Sequence, residues 1–530
     1  MISAGHQCDY GIGLGKTVFL LVFVLVPILF KTASAQSPIR ASALYQRYCA
    51  ECHGADRLGG MGPALLPQNL TRVKKDQASK AIRQGLPATQ MPGFEQALND
   101  EDIDALVEHI YTPLLEIPTW ALEEVRNSQV VYKTTSELVE SPVYHADPLN
   151  LFVVVESGDH HVTILDGDRL EPIRRFKSRY ALHGGPKFSP TGRFVYFASR
   201  DGWITKYDLY GLTRVAEIRA GINTRNLAVS SDGRFVMVAN YLPHTLVILN
   251  ADDLGPEKII PVIDAHGTSS RVSAVYDAPP RNSFIAALKD VTEVWEIPYH
   301  DDPQYYGMVH DYRYEGPPEV TESFPIRRIG LDDYLDDFFF DQEYQHIVGA
   351  ARNAKKGQVV NLIVGRKIAD IDIPGLPHLG SGITWTYQGR RVLATPNLKQ
   401  ALISVIDMKS WQTIRQIETL GPGFFMRTHE NTRYAWVDVF FGPDRDAVHV
   451  IDKHTLELVR TLRPAPGKTA AHVEFTRDGR FALLSVWNMN GAVVVYDAET
   501  LEEVKRIPMK KPSGKYNVYN KITRSAGTSH

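Results

Sequence analysis

The chain has 530 residues, more than one typical domain holds, so at least two unequal domains are expected. Hydrophobic residues make up 44% and charged residues 22%, which matches an ordinary soluble globular protein. A net charge of -3 gives no sign of a basic surface, so the composition speaks against a nucleic-acid partner.

The first segment of the chain reads as an export signal. Lys16 precedes an apolar run over residues 17–30, and Ala33-Ser34-Ala35 then provides the small residues of a signal-peptidase site. We therefore predict a signal peptide over residues 1–35, export to the periplasm and a mature chain beginning near Gln36. A retained membrane anchor is the alternative, but the run is shorter than the roughly 20 apolar residues that span a bilayer. No membrane span is expected after cleavage.

The three cysteines of the chain are not arranged as a disulfide framework. Cys8 falls in the predicted signal peptide, and Cys49-Ala-Glu-Cys52-His53 forms a C-x-x-C-H motif. In such a motif the two thiols attach to haem and the adjoining histidine ligates its iron. A zinc site would need further cysteines or histidines nearby, and a redox dithiol would lie in a βαβ context. One covalent haem c, ligated by His53, is predicted.

The motif lies in a predicted helical domain over residues 36–113. Residues 41–50 read as a helix entering the motif, and residues 62–65 resemble the turn of small class I cytochromes c. Residues 100–111 form an acid-capped amphipathic helix with four apolar residues on one face: Ile103, Leu106, Val107 and Ile110. We expect a small all-α domain of the class I cytochrome c type.

A sixth ligand of the haem c iron is expected from a methionine. Met91 stands at the distance from the cysteine motif where class I cytochromes c carry theirs. A thioether ligand keeps the reduced state favoured and suits electron transfer. Met61 and His109 are the alternatives, since a methionine can also simply pack in a core.

After a predicted linker over residues 114–140, one turn recurs between apolar strands. The clear copies are Pro190-Thr191-Gly192-Arg193, Ser231-Asp232-Gly233-Arg234, Tyr387-Gln388-Gly389-Arg390 and Arg477-Asp478-Gly479-Arg480. Weaker copies lie at Asp147, Pro280, Asp341 and Asn431. Strands joined by such turns at this spacing indicate four-stranded blades. Residues 141–530 are therefore predicted to form an all-β, eight-bladed β-propeller.

A propeller can be a binding platform without chemistry, and the fold alone does not decide this. A wide central channel has a mouth in which a large planar ligand could lie. The neighbouring haem implies that electrons enter or leave the propeller.

Nearly the whole mature chain resembles the cytochrome cd1 family, which comprises periplasmic nitrite reductases and paralogues of haem d1 biosynthesis. The matching segments are Tyr180-Ala181-Leu182-His183, Arg200-Asp201, Gly221-Ile222-Asn223-Thr224-Arg225, Pro377-His378, Ser485-Val486-Trp487-Asn488 and Gly514-Lys515-Tyr516-Asn517. The resemblance implies a second, noncovalent haem in the propeller, with His183 as the proximal ligand of its iron.

The resemblance also implies cations against the carboxylates of the d1-type ring. Arg200, Arg225 and Arg271 fall where the family places them. Guanidinium groups suit carboxylates, although each arginine could instead form a surface ion pair.

Two positions depart from the nitrite reductases, which use a pair of distal histidines to protonate nitrite. Asp336 replaces the first of them, beside three phenylalanines, whereas His378 keeps the second. His472 stands where the reductases carry glutamine.

This pattern of departures resembles the cytochrome c-containing dihydro-haem d1 dehydrogenases. The resemblance implies that His378 is the distal iron ligand and His472 the general base. The reaction would oxidise a propionate of dihydro-haem d1 to the acrylate of haem d1.

Other functions stay open at this stage. One alternative is a nitrite reductase, and another is a carrier that delivers haem d1 to that enzyme. A dehydrogenase would pass electrons through its own haem c to a soluble periplasmic acceptor. The roles of Tyr132 and of Asp336 remain undecided, and Tyr132 could reach over the ring.

Overall fold

The computed structural model describes residues 36–60, 62–70, 73–85, 91–116, 118–300, 323–352, 356–374 and 376–523. The predicted signal peptide and Met61 lie outside the described residues. No helix within those ranges combines the length and hydropathy needed to cross a bilayer.

The N-terminal domain is helical. Its helices are α1 (Gln36–Tyr48), α2 (Ala50–His53), α3 (Lys75–Gln84) and α4 (Asp100–Tyr111). The predicted helix over residues 41–50 is interrupted at Cys49, and α3 was not predicted. Asn99 begins α4 by accepting the amide of Asp102 with its side chain, and three acidic residues in the first turn favour the positive end of the helix dipole. The four predicted apolar residues of α4 are all buried, as the periodicity indicated.

A connecting segment joins this domain to the propeller. It holds α5 (Leu122–Asn127), β1 (Val130–Val131) and a short 3-10 helix (Thr135–Glu137). Val125 of α5 is fully buried against strands of blades 2 and 3 of the propeller. The connecting segment therefore packs on the surface of the propeller.

The strands of the propeller run in chain order from β2 to β33. They are β2 (Leu151–Glu156), β3 (His161–Asp166), β4 (Glu171–Lys177), β5 (Lys187–Phe188), β6 (Phe194–Ala198), β7 (Trp203–Asp208), β8 (Thr213–Arg219), β9 (Asn223–Val229), β10 (Phe235–Leu242), β11 (Thr245–Asn250), β12 (Pro256–Pro261), β13 (Val272–Ala278), β14 (Ser283–Leu288), β15 (Glu293–Pro298), β16 (Arg327–Gly330) and β17 (Leu335–Phe340). They continue with β18 (His346–Ala351), β19 (Lys356–Asn361), β20 (Arg366–Ile371), β21 (Ile383–Tyr387), β22 (Arg390–Pro396), β23 (Leu402–Asp407), β24 (Thr413–Glu418), β25 (Met426–Thr428), β26 (Tyr434–Asp438), β27 (Val448–Asp452), β28 (Leu458–Leu462), β29 (Ala470–Phe475), β30 (Phe481–Val486), β31 (Gly491–Asp497), β32 (Glu503–Met509) and β33 (Pro512–Asn517). Short 3-10 helices lie at Pro148–Asn150, Pro279–Arg281 and Leu379–Ser381, and α6 (Val518–Ile522) ends the described chain.

These strands form eight antiparallel sheets, which confirms the eight-bladed propeller. Blades 2 to 8 each use four consecutive strands, from β5–β8 to β29–β32, and β1 adds a short outer strand to β8. Blade 1 has the order β33, β2, β3, β4, so the last strand of the chain completes the first blade. Val153 pairs with Tyr516 in that blade. Ring closure thus brings the C-terminal strand beside the start of the propeller.

The helical domain rests on blades 2 and 3. Ile222 and Leu242 of the propeller form one buried apolar cluster with Ala64 and Leu66 of the helical domain. Arg219 donates from Nη2 to the carbonyl of Leu58 across the same contact, at 2.5 Å. The contact is therefore apolar at its centre, with a charged hydrogen bond beside it.

Candidate active site

The C-x-x-C-H motif lies where α1 gives way to α2. Cys49 is buried, Cys52 is half-buried, and both thiols are free of disulfides. His53 Nδ1 donates to the carbonyl of Pro63 at 2.8 Å. Since a carbonyl only accepts, this bond leaves the lone pair on Nε2, the nitrogen that can ligate iron. A Cβ at Gly62 would lie 2.7 Å from His53 Cε1, so only glycine fits against the ring. These features fit a covalent haem c.

The position of the sixth ligand remains a prediction. Met91 packs against the apolar cluster that contains Cys49. His109, an alternative, lies in α4 with its ring 5.3 Å from that of Tyr45.

A cavity of about 740 Å³ opens in the propeller. Its wall brings together three histidines and one arginine named from the sequence: His183, His378, His472 and Arg225. Arg200 and Arg271 are not among the lining residues. Arg271 donates to Asp290 from Nε and Nη2, at 2.8 and 2.5 Å. The volume lies in the range of ligand pockets, roughly 300–1,000 Å³.

Two of these histidines have the same tautomer fixed by the backbone. His183 Nδ1 donates to the carbonyl of Arg225 at 2.8 Å, and His378 Nδ1 donates to the carbonyl of Phe424 at 2.6 Å. In each neutral ring the lone pair is then on Nε2. Burial also lowers the pKa of His378. Both imidazoles are suited to bind iron.

His472 is held differently. It lies at a β-bulge in β29, where the register shifts between Ala471 and Val473, and its φ of 57° is in the left-handed region. Bulges of this kind re-aim a side chain toward a site. Its Nδ1 is buried and has no hydrogen-bond partner among the described residues. Burial, followed by the nearby charges of Lys515, Arg427 and Lys521, lowers the pKa of His472 well below its usual value. The ring is therefore neutral at pH 7.

Cations outnumber carboxylates in the wall of the cavity. Besides Arg225, the lining includes Lys187, Lys289, Arg427 and Lys521, against Asp336 and Asp337. Arg427 Nη1 is buried without a partner in the described structure. An unpartnered buried guanidinium nitrogen is costly unless a ligand satisfies it. The wall therefore fits a ligand with several carboxylates, and Arg427 was missed because no repeat or motif marks it.

An aromatic wall was also missed. Phe424, Phe425, Phe440, Phe441 and Trp487 line the cavity, and their rings contact one another. The dipeptides Phe424-Phe425 and Phe440-Phe441 were the sequence feature that could have indicated this wall. Flat rings of this kind pack against a planar macrocycle and keep water away from it.

Asp336 lies in the wall of the cavity. Its carboxylate accepts from Lys289 Nζ at 2.9 Å and from Arg352 Nη2 at 2.5 Å. Burial raises its pKa, but these hydrogen bonds outweigh burial and hold the pKa below its ordinary value. The group is therefore ionised at neutral pH. Tyr132 lies on the outer edge of blade 2, where its hydroxyl donates to Glu217 at 2.8 Å.

The backbone groups that hold His183 and His53 lie near the contact between the two domains. The Arg225 carbonyl holds His183, and Ile222, three residues earlier, packs with Ala64. Ala64 follows Pro63, whose carbonyl holds His53. The carbonyl groups that hold the two histidines therefore lie close to the contact between the domains.

Comparisons with known proteins agree with this division of the chain. The sequence model of the Cytochrome D1 heme domain matches residues 146–521. The model of the cbb3-type cytochrome c oxidase subunit III matches residues 37–110.

Individual relatives extend over nearly the full length. The dihydro-heme d1 dehydrogenase of Pseudomonas aeruginosa is 55% identical over 510 residues, 96% of this chain and 100% of that protein. A nitrite reductase of Stutzerimonas stutzeri is 24% identical over 542 residues, 92% of this chain and 93% of the reductase. The solved structure of dihydro-heme d1 dehydrogenase NirN in complex with DHE is 57% identical, with a TM-score of 0.86, and the match spans 91% of this chain and 100% of that one. This chain therefore belongs to the cytochrome d1 haem domain family, with a cytochrome c domain at its N-terminus.

Proposed function

We propose that this protein is a dihydro-haem d1 dehydrogenase, an oxidoreductase of haem d1 biosynthesis. It oxidises a propionate of the noncovalently bound tetrapyrrole to an acrylate. Two electrons and two protons leave the –CH2–CH2– unit as the double bond forms. The observation that carries this reaction is His472, a buried imidazole in the wall shared with His183 and His378, whose Nδ1 has no hydrogen-bond partner among the described residues.

His472 is the general base of the proposed reaction. A neutral imidazole can accept a proton from the side chain, and positioned proton transfer of this kind contributes about 10²- to 10⁴-fold to rate. The backbone of His472 is held by Asp438, which accepts its amide, and by Lys515, which donates to its carbonyl. The base is therefore fixed before the substrate arrives.

The other site residues hold the substrate. His183 and His378 offer Nε2 to the iron of the tetrapyrrole, as proximal and distal ligands. Arg225 and Arg427 lie in the wall, where they would face the ring carboxylates. Arg225 also pairs with Asp337 at 3.5 Å, and Arg427 Nη1 has no hydrogen-bond partner among the described residues. Arg200 and Arg271 do not line the cavity, and Arg271 pairs with Asp290, so for them the carboxylate-binding role rests on the family resemblance alone.

Electrons leave through the N-terminal domain. Haem c, attached at Cys49 and Cys52, supplies one-electron acceptance when bound. His53 and Met91 would hold its iron. The packing of Ile222 on Ala64 keeps this domain against the blades that carry His183 and Arg225. We infer that electrons run from the propeller to haem c.

Neither alternative function is favoured. Nitrite reduction needs a distal proton donor, whereas Asp336 is an ionised carboxylate bound to Lys289 and Arg352. A carrier of haem d1 would not need a general base such as His472 beside the bound ring.

The location and the protein partners are proposed from the sequence and from the family. We place the protein in the periplasm, where a soluble acceptor takes the electrons from haem c. The nitrite reductase is a candidate recipient of the product.

The test uses the purified protein with its haem c, dihydro-haem d1 and a soluble one-electron acceptor. We expect the absorption spectrum to change to that of haem d1 while haem c is reduced. His472→Gln should bind the substrate but lose about 10²- to 10⁴-fold in turnover. An unchanged spectrum with the wild-type protein would refute the proposed reaction.

His449→Gln is the matched control. His449 is also a buried propeller histidine, but both ring nitrogens have protein partners, Thr461 and the Leu420 amide, and it does not line the cavity. It should retain turnover. Full activity in H472Q would remove His472 from catalysis, and nitric oxide from nitrite and the reduced protein would favour the reductase instead.

A further inference from the structure

The dipeptide Phe424-Phe425 runs between His378 and His472. The Phe424 carbonyl accepts from His378 Nδ1 at 2.6 Å, and the Phe424 ring lies 4.1 Å from the His378 ring. The Phe425 ring lies 4.8 Å from the ring of His472. One short segment of blade 7 therefore contacts both the proposed iron ligand and the proposed base.

This segment is anchored by one buried carboxylate. Asp438, at the end of β26, accepts the amides of Phe424 and Phe425 with Oδ1, at 2.8 and 3.1 Å. The Asp438 amide in turn donates to the Phe425 carbonyl at 3.2 Å. Asp438 is 1% exposed, so water does not compete for these bonds.

The second oxygen of Asp438 reaches the next blade. Oδ2 accepts the amide of His472 at 3.2 Å. His472 is the extra residue of the bulge in β29, and such a residue is left out of the strand ladder. Its two backbone groups are instead held by charged side chains, the amide by Asp438 and the carbonyl by Lys515.

We propose that Asp438 is a positioning residue that sets His378 and His472 relative to each other through Phe424-Phe425. The inference rests on the proposed function, in which His378 holds the iron and His472 takes the proton. A single carboxylate spanning blades 7 and 8 then keeps the base in register with the substrate side chain. A misplacement of about 1 Å can cost about 100-fold in rate.

Asp438→Asn separates this role from a simple packing role. Asparagine has the same shape, but its NH2 group must face either the two phenylalanine amides or the His472 amide, so one side loses its acceptor. We expect kcat to fall about 10- to 100-fold with KM changed much less. The spectrum of the bound tetrapyrrole should also shift toward that of His378→Ala.

Asp452→Asn is the matched control, read with the same assay. Asp452 ends the neighbouring strand β27 of the same blade, is buried, and accepts the amides of His454 and Thr455, at 2.7 and 3.3 Å. It does not line the cavity. D452N should keep the kcat and the bound spectrum of the wild type. Loss of kcat in D438N and D452N alike would mean general destabilisation and would overturn the proposal.

The combination D438N with H472Q gives an independent readout. If Asp438 acts through His472, adding D438N to H472Q should lower turnover little further, because neighbouring groups acting as a unit are non-additive. Full additivity would overturn the proposal. Wild-type kcat and an unchanged bound spectrum in D438N would also overturn it, while an inactive wild type would instead refute the proposed function.

If D438N does not fold, as judged by haem c content and circular dichroism, Asp438→Glu provides the test. It keeps the carboxylate but displaces it by one methylene. A lowered kcat with a perturbed bound spectrum supports the proposal, and wild-type values for both would contradict it.

Discussion

Ile222 of the propeller and Ala64 of the cytochrome domain share one buried apolar cluster, three residues from the carbonyl that holds His183 and one residue from the carbonyl that holds His53. The contact therefore lies between the supports of the two predicted proximal ligands. An electron leaving the propeller would cross the protein near this point.

Replacing Ile222 should uncouple the two domains. Ile222→Ser removes buried apolar contact worth about 2–5 kcal/mol and adds a buried hydroxyl. We expect slower reduction of haem c by bound substrate, together with faster proteolysis of the connecting segment, while each domain keeps its own absorption spectrum. Stopped-flow spectroscopy measures the reduction rate. Ile222→Val, which costs about 0.5–1.5 kcal/mol, is the control and should retain the rate. An unchanged rate in I222S would remove this contact from the electron path.

Much of the fold followed from local signals. The C-x-x-C-H motif, the glycine turns and the period of α4 are each contained in a few neighbouring residues, so the sequence was enough to predict the helical domain and eight blades. The break of the helix at Cys49 and the helix α3 were not predicted, because short helices depend on tertiary packing as much as on propensity.

The site was less predictable, since its partners are far apart in the chain. Asp336 could not be matched with Lys289 from the sequence, nor Lys515 with the His472 carbonyl, because the propeller closure brings those residues together. His183, His378 and His472 were found only through the family resemblance. Arg427 had no sequence motif to mark it, and the aromatic wall was signalled locally by its two Phe-Phe pairs.

Ring closure should be sensitive to Asn517. Its Nδ2 donates to Asn150 Oδ1 at 3.0 Å, and its Oδ1 caps α6 by accepting the Asn520 amide. Asn517→Ala loses a cap and a buried hydrogen bond, so the free energy of unfolding should fall by about 1–3 kcal/mol. Denaturant unfolding of the haem c-loaded protein measures this. Asn431→Ala, at an exposed turn, should change it by less than about 0.5 kcal/mol, and an equal loss in both variants would contradict the closure role.

The sixth ligand of haem c can be assigned by its effect on potential. A thioether raises the reduction potential relative to imidazole, so Met91→His should lower the midpoint potential of haem c. Spectroscopic redox titration measures it, and Met408→Leu in the propeller is the control. If Met91→His leaves the potential unchanged and Met61→His lowers it, the ligand is Met61.

The pH dependence of turnover should reflect the environment of His472. Burial, followed by Lys515, Arg427 and Lys521, lowers its pKa well below 6.5, while Tyr516 and the Asp438 carboxylate also pack against this residue. Because the base must be unprotonated, a lowered pKa keeps it active at pH values where an exposed histidine would already carry a proton.

We therefore expect the loss of kcat/KM that comes from protonation of His472 to lie below about pH 6. A separate change around pH 7 would come from Asp438, whose pKa burial raises to about 7, and from Lys515, whose pKa burial lowers to about 7. Arg427→Gln removes a neighbouring positive charge, which should raise the pKa of His472 and move the acidic limb to higher pH. Profiles normalised to each variant's maximum separate this shift from weaker substrate binding.

The free energy of unfolding gives a second check on the direction of the pKa shift of His472. Below pH 6.5 the unfolded chain protonates this histidine and the folded chain does not, so stability should fall with pH there, and by less in H472Q. An acidic limb centred near 6.5 that persists in D438N would place a different, exposed group in the role of the base.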